Sequence, residues 1–562
     1  MISQQMPPIR VIETIEPASK FQITPDTVVY DLGQNFAGWV RVQISGDKGD
    51  RLTIRFAEEI NADGSLNISS NEGARASAAY ILKGNGTESY EPRFSFFGFR
   101  YVELTSDGAM PAISQVQGRV VHSANAPAGT FSCDNELINK IHRATVWSQK
   151  SNMIGYPLDC PQRDERLGWF GDAQVTAEEA MFNFDMALFF RNWLSGIQSN
   201  QDKKTGDIPI ISPRPYIWDE GVEWSSTYII ITWYHYLYYG DKRVLAEHYE
   251  SMKIYMTFLA GLSKDHILPQ GWIGDWGSLV KGWKEGEPES VPTAFYYYNA
   301  IILSKIADVL DITEDSARFK TLADQIKTAY NHRYFDAESG NYTDGSQMAN
   351  AFPYLLDLVP QEYKAIVLKN LVTDIIDKQN SHLTTGVLGT KYMIDALTLG
   401  GRSDVAYKLV NQTGYPSWSD MVEKYTTLCE FWTLKQSHNH VMMGSIDAWF
   451  YKVLAGIRLD ESRSAFQNIV ISPFIAEGLN NAQAALETIR GKVVSKWEKT
   501  DDGLVMNIEI PFNCQAEIHF PATDENVIFE NNKALKDNPD FTRIAPAVFK
   551  VPSGNYRFTV KN

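Results

Sequence analysis

Cysteine is scarce: four residues, Cys133, Cys160, Cys429 and Cys514, in a chain of 562. They are too few and too scattered for a disulfide framework. None stands in a CxxC pair, so a structural zinc site is not expected. Long hydrophobic runs are missing too, and no stretch approaches the ~18 consecutive apolar residues of a membrane span. The segment from Met1 to Glu13 lacks the basic, then apolar, then small order of a signal peptide. The expected location is therefore cytoplasmic for a complete chain, periplasmic or secreted for a mature or truncated one. Positive charge is in deficit: 52 Lys and Arg against 68 Asp and Glu leave a formal charge of −16. An acidic surface repels phosphate backbones, so nucleic acid is not an expected partner.

What is abundant is aromatic: 14 Trp, 27 Tyr and 28 Phe. A core does not need that much tryptophan, whereas sugar-binding clefts set flat aromatic faces against pyranose C–H groups. The length exceeds the ~250–300 residues at which one hydrophobic core stops growing, so several domains are expected.

Periodicity divides the chain in three. Val40–Ile44 and Leu52–Phe56 alternate with period two around the turn Ser45–Asp50, and Phe99–Leu104 reads the same way. Residues 1–125 are predicted to form a β-sandwich domain. From Asp134, a candidate N-cap, the spacing turns helical, with about twelve segments up to Ile457; one long segment is predicted over 172–196. Short links such as Tyr239-Gly240-Asp241 imply antiparallel hairpins. The run from Ala180 to Phe190 is apolar almost all round and calls for burial on every side. Hairpins of this kind, some buried and some half exposed, suggest an (α/α)6 barrel over 126–468, although a plain bundle satisfies the same pattern. Strands then return around the hairpin signal Asp502-Gly503, so 469–562 is expected to be a second β-sandwich domain. The fold class expected is multidomain and mainly α.

The densest polar stretch runs from Tyr156 to Asp172. It holds Asp159, Asp164, Glu165 and Asp172 with Arg163 and Arg166, while Pro157, Pro161, Gly168 and Gly171 keep it from being helix. Such loops usually use their carboxylates to cap helices and pair with arginines. This one lies between two apolar helical segments, which suits the mouth of a barrel.

The stretch Asp159-Cys160-Pro161-Gln162-Arg163-Asp164-Glu165-Arg166-Leu167-Gly168-Trp169, followed by Gly171-Asp172-Ala173-Gln174, resembles the signature of glycoside hydrolase family 78, the α-L-rhamnosidases. Asp31–Trp39, Phe97–Val102, Gly274-Asp275-Trp276, Asn439-His440 and Gly444-Ser445 resemble further family segments in the same order, so the likeness spans almost the whole chain. It implies Glu165 as general acid and Glu430 as general base, with sugar binding by Asp159, Arg163, Trp169, Asp172, Trp224, Trp276 and His440. It implies a rhamnose-containing glycoside or oligosaccharide as substrate. No cluster of His, Asp or Cys stands at metal-ligand spacing in the sequence, so no metal or organic cofactor is expected.

Chemistry agrees with these roles. Glycoside hydrolysis needs one protonated carboxyl group at the leaving oxygen and one carboxylate to activate water. Asp159, Asp164 and Asp172 are like charges that favour a proton on Glu165, Trp169 can exclude water from it, and Arg163 opposes both. Taken alone, Trp224 or Trp276 reads as core and His440 as a capping or core histidine. Glu430 has nothing special around it in sequence.

Two departures stand out. The family reads Trp-Glu-Arg-Trp around its base, where this chain has Cys429-Glu430-Phe431-Trp432, and the stretch from Glu430 to His440 is short. Ser225-Ser226-Thr227 follows Trp224 where the family commonly has an aspartate. The leading expectation is an inverting α-L-rhamnosidase acting on terminal rhamnose of plant or algal glycosides or polysaccharides. Its rivals are a non-catalytic carbohydrate-binding relative and an (α/α)6 glycosidase or lyase of other specificity.

Overall fold

The computed structural model describes residues 4–214, 221–269, 271, 273–280, 290–522 and 527–561. The chain folds into two compact units. The first gathers Met1–Asn125, Arg143–Ala173 and Thr413–Gly444; the second gathers Ala126–His142, Gln174–Gln412 and Ser445–Asn562.

In the first unit, eight of the strands before residue 125 form one continuously hydrogen-bonded sheet, and Glu59–Ile60 pairs apart from it with Leu66–Asn67. The spine of the large sheet is the 19-residue strand Thr27–Ser45. Alternation works here as expected. Val40, Val42 and Ile44 are fully buried, while Arg41 and Gln43 point away and bond Gln117 and Gln115 across the strand. Pairing with Phe97–Ser106 is interrupted, because partners run to Asp31 and resume at Phe36. Leu32–Asn35 therefore bulge from the ladder, and Gly33 takes a φ of 75° that other residues adopt at a cost.

Several helices differ from expectation. Asn135, not Asp134, caps the helix Glu136–Ser151: its side-chain oxygen accepts the N–H groups of Leu137 and Ile138. Asp134 instead accepts from Asn480 and Asn481. The segment predicted over 172–196 is two helices, Phe170–Asn183 and Ala187–Asn200. The break has a tertiary cause, since Asn183 O accepts from Ala128 N and Asp185 N donates to Ala126 O. The stretch expected to be buried all round is so through Phe184, but Asp185 and Leu188 are exposed.

Helices far apart in sequence share buried polar clusters. Asp447 accepts from Asn183 at 2.7 Å and pairs with His142 at 2.8 Å, and Glu178 binds both Lys391 and Lys452 at 2.9 Å. The C-terminal strands belong to a ten-stranded sheet that also recruits Gly129–Cys133, Ile457–Leu459 and Asn468–Ile471. Its predicted hairpin exists, but the two-residue loop is Asp501-Asp502, with Gly503 paired to Thr500. Helix is the larger share at about 37%, yet strand reaches about 29%. "Mainly α" therefore gives way to a mixed chain with β domains at both ends.

Candidate active site

The signature loop is held by the β domain of its own unit. A Cβ on Gly98 would stand 2.7 Å from Pro161 and 2.8 Å from Gln162, so the strand must carry glycine for the loop to lie against it. Arg166 donates to the Phe96 carbonyl at 2.9 Å and lies over the Phe96 ring. Loop and strand thus fix the backbone from which Asp159, Arg163 and Glu165 project.

Arg163 is the hub. Its guanidinium is nearly inaccessible; Nη1 lies 2.8 Å from Glu430 Oε2 and Nη2 lies 2.6 Å from Glu165 Oε2. The two carboxylate oxygens are therefore within about 8 Å of each other, the reach of one planar guanidinium. Burial disfavours the cation, but Cys160, Glu430, Glu165 and Asp159 outweigh it and push the arginine pKa up. Glu165 is the more accessible of the two glutamates, and Trp169 Nε1 donates to its other oxygen at 2.6 Å. Glu430 is buried, and its N–H donates to Ser437 O.

The remaining polar residues surround this hub. Asp159 accepts the Leu167 N–H at 2.6 Å and the Cys160 thiol at 2.5 Å. Burial, then the charge of Glu165, raises its pKa to about 7 against the pull of His440 and Arg163. Asp159 is the more deeply enclosed of the two acids. His440 Nε2 lies 2.8 Å from Asp172 Oδ1, and its Nδ1 is 4.0 Å from Glu430. Burial alone would lower the imidazole pKa, yet Glu430, Asp172 and Asp159 raise it to about 9. Asp159, Cys160 and Glu165 have donor atoms within 4.8 Å of one another, a cluster that sequence spacing did not reveal. Arg163 already pairs with both carboxylates, and burial holds the Cys160 thiol protonated. All four cysteines are free and buried.

Seven of the nine expected residues therefore meet in the first unit: Asp159, Arg163, Glu165, Trp169, Asp172, Glu430 and His440. Trp224 and Trp276 belong to the second unit. Trp224 is 3% exposed in the short helix Val222–Ser225, whereas Trp276 is half-buried in a loop. Glu223, which sequence reasoning missed, joins their neighbourhoods by accepting the N–H groups of Ile273 and Gly274. Asp275 accepts the N–H groups of Gly386 and Gly389, and burial raises its pKa to about 6.

Two carboxyl groups held on one guanidinium, one of them accessible and beside a tryptophan, thus form the centre of the candidate site. Comparison with known proteins is more specific. Residues 126–454 match the bacterial alpha-L-rhamnosidase six-hairpin glycosidase domain, 21–122 the concanavalin-like domain and 456–535 the C-terminal domain of the same proteins. The chain belongs to the bacterial α-L-rhamnosidase family, glycoside hydrolase family 78: a six-hairpin glycosidase domain with β domains on either side.

An α-L-rhamnosidase of Streptomyces avermitilis is 32% identical over all of this chain and 54% of its own length. The structure of that organism's enzyme complexed with L-rhamnose has a TM-score of 0.93 at 31% identity, covering 100% of this chain and 54% of the other. The α-L-rhamnosidase from Dictyoglumus thermophilum gives 0.94 at 41% identity, covering 100% and 65%. The chain thus spans about half the length of the relatives it matches by sequence.

Proposed function

We propose that this chain is an inverting α-L-rhamnosidase that releases terminal rhamnose from plant or algal glycosides or polysaccharides. Glu165 protonates the leaving oxygen, and Glu430 takes a proton from the water that attacks the anomeric carbon. Asp159, Arg163, Asp172 and His440 hold sugar hydroxyls, while Trp169, Trp224 and Trp276 form apolar walls. The observation that carries this reading is the attachment of both glutamates to Arg163, at 2.6 and 2.8 Å. Sugar hydroxyls compete for the same N–H groups, so substrate binding releases Glu165 from its cation and leaves it able to hold the proton it must give. Trp169, donating to Glu165, fixes that carboxyl as it does so.

The finer architecture belongs to this proposal. Closure of the helices into an (α/α)6 barrel is supported by the clusters joining His142, Glu178 and Asn183 to Asp447 and Lys452, which tie early helices to the last. Domain limits at 125/126 and 468/469 follow the change of periodicity. The first is supported by the start of the six-hairpin match at residue 126.

The test is hydrolysis of a panel of p-nitrophenyl glycosides. The α-L-rhamnoside should be cleaved and the α-L-fucoside, β-D-glucoside and α-D-mannoside left intact. Binding of rhamnose without cleavage of any member would favour the non-catalytic reading.

A further inference from the structure

The N-terminal β domain reaches the loop that carries Glu430 through a buried carboxylate no role has yet used. Glu58 follows the strand Arg51–Ala57 and is 3% exposed. One of its oxygens accepts from Asn35 Nδ2 at 2.9 Å; the other accepts the backbone N–H of His438 at 3.1 Å and lies 3.6 Å from that imidazole. The bulge in Thr27–Ser45 supplies the rest of the grip. Asn35 N donates to Thr426 Oγ1 at 2.9 Å, Gln34 Nε2 to Thr426 O at 3.2 Å, and Asn35 Nδ2 also approaches His438 O at 3.4 Å.

These contacts bracket the proposed base. Thr426 precedes Glu430, His438 follows it, and the loop closes on itself through Glu430 N to Ser437 O and His440 N to Leu428 O. Tyr425 stacks on the His438 ring at 4.3 Å and donates to Glu59, the residue after Glu58. Burying a carboxylate costs free energy unless its hydrogen bonds return something. Here they return a fixed loop. A bulge beside a functional loop serves the same end, because it aims side chains that a regular ladder would leave in the sheet.

Resting on the functional reading above, we propose that Glu58 and Asn35 are positioning residues: through Thr426 and His438 they hold the Glu430–His440 loop in its working place. The β domain is then a part of the catalytic apparatus and not a separate sugar-binding module.

Two measurements on the full chain test this. Amide hydrogen exchange should show the N–H groups of Glu430, His438 and His440 exchanging at least about tenfold faster in Glu58→Ala. Strand amides such as Val40 and Val42 should be unchanged. In kinetics, Glu58→Ala should lower kcat about tenfold or more, by the same factor for aryl rhamnosides with good and poor leaving groups. Glu58→Gln should recover most of it, since its amide oxygen still accepts the His438 N–H. If Glu58→Ala does not fold, Asn35→Ala should give the same pattern more weakly. Unchanged exchange in the loop, kcat within about twofold of the parent, or a loss falling mainly on poor leaving groups would each overturn the proposal. Should the parent chain cleave no rhamnoside, the functional reading fails while the exchange result still decides the positioning claim.

Discussion

Arg163 holds Glu430 at 2.8 Å with both side chains buried, and its other terminal nitrogen holds Glu165. Removing the arginine takes from Glu430 its nearest cation in a dry place and leaves only the more distant His440. Breaking a buried pair in this way costs ~3–5 kcal/mol, so Arg163→Ala should unfold at clearly lower denaturant. Arg163→Lys should regain part of that stability. It should regain little activity, because an ammonium lacks the rigid planar fork that fixes the two carboxylates relative to each other. Urea unfolding beside kcat/KM separates the two quantities. Equal recovery of both by lysine would show that charge alone matters here.

His440 provides a pH signature. Its imidazole pKa lies near 9 in the folded chain, above the ordinary ~6.5. The stability it contributes is therefore fully present below about pH 6.5 and is lost as pH rises through about 9. The unfolding free-energy gap between the parent and His440→Asn should narrow over that window. Proton NMR should find one imidazole titrating with a midpoint near 9, absent from the variant. A His440 midpoint at or below 6.5 would contradict the ion pair with Asp172.

Parts of this site were legible because their information is local. Asp159, Arg163, Glu165, Trp169 and Asp172 lie within fourteen residues, and a polar loop between apolar helices draws attention before any fold is known. Glu430 was not legible in that way. Nothing near it in sequence is unusual, and its character comes from Arg163 across the fold. The same applies to Glu58, which reads as an ordinary residue at a strand end until Asn35 and His438 close on it. Strand alternation located Val40–Ile44 correctly, but the bulge at Leu32–Asn35 has no period to betray it. Nor could helical spacing foresee the break after Asn183, which depends on backbone pairing with Ala126–Ala128.

The two tryptophans of the second unit should part company on mutation. Trp224 is 3% exposed, so Trp224→Ala should cost ~3–5 kcal/mol, as large-to-small core changes do. Trp276 is half-buried and its loop is anchored through backbone N–H groups to Glu223 and through Asp275 to Gly386 and Gly389. Trp276→Ala should therefore cost under ~1.5 kcal/mol while lowering kcat/KM about tenfold or more. Chemical denaturation and kinetics on both variants decide. An unchanged kcat/KM in Trp276→Ala, whatever its stability, would remove Trp276 from the sugar site.

Stereochemistry tests the division of labour between Glu165 and Glu430. Inversion needs room for a water between base and anomeric carbon, with carboxyl groups ~6.5–9.5 Å apart, whereas retention needs ~5–5.5 Å. An inverting enzyme would release β-L-rhamnose first from an α-L-rhamnoside, before mutarotation mixes the anomers, and proton NMR in the first minutes of hydrolysis reads this directly. The variants carry the same logic further. Glu165→Gln should slow poor leaving groups far more than nitrophenyl ones, since only the former need a proton. Glu430→Gln should slow both alike by about a hundredfold or more, since every substrate needs the activated water. An initial α-anomer would mean that Glu430 attacks the sugar itself. A Glu430→Gln loss confined to poor leaving groups would exchange the two roles.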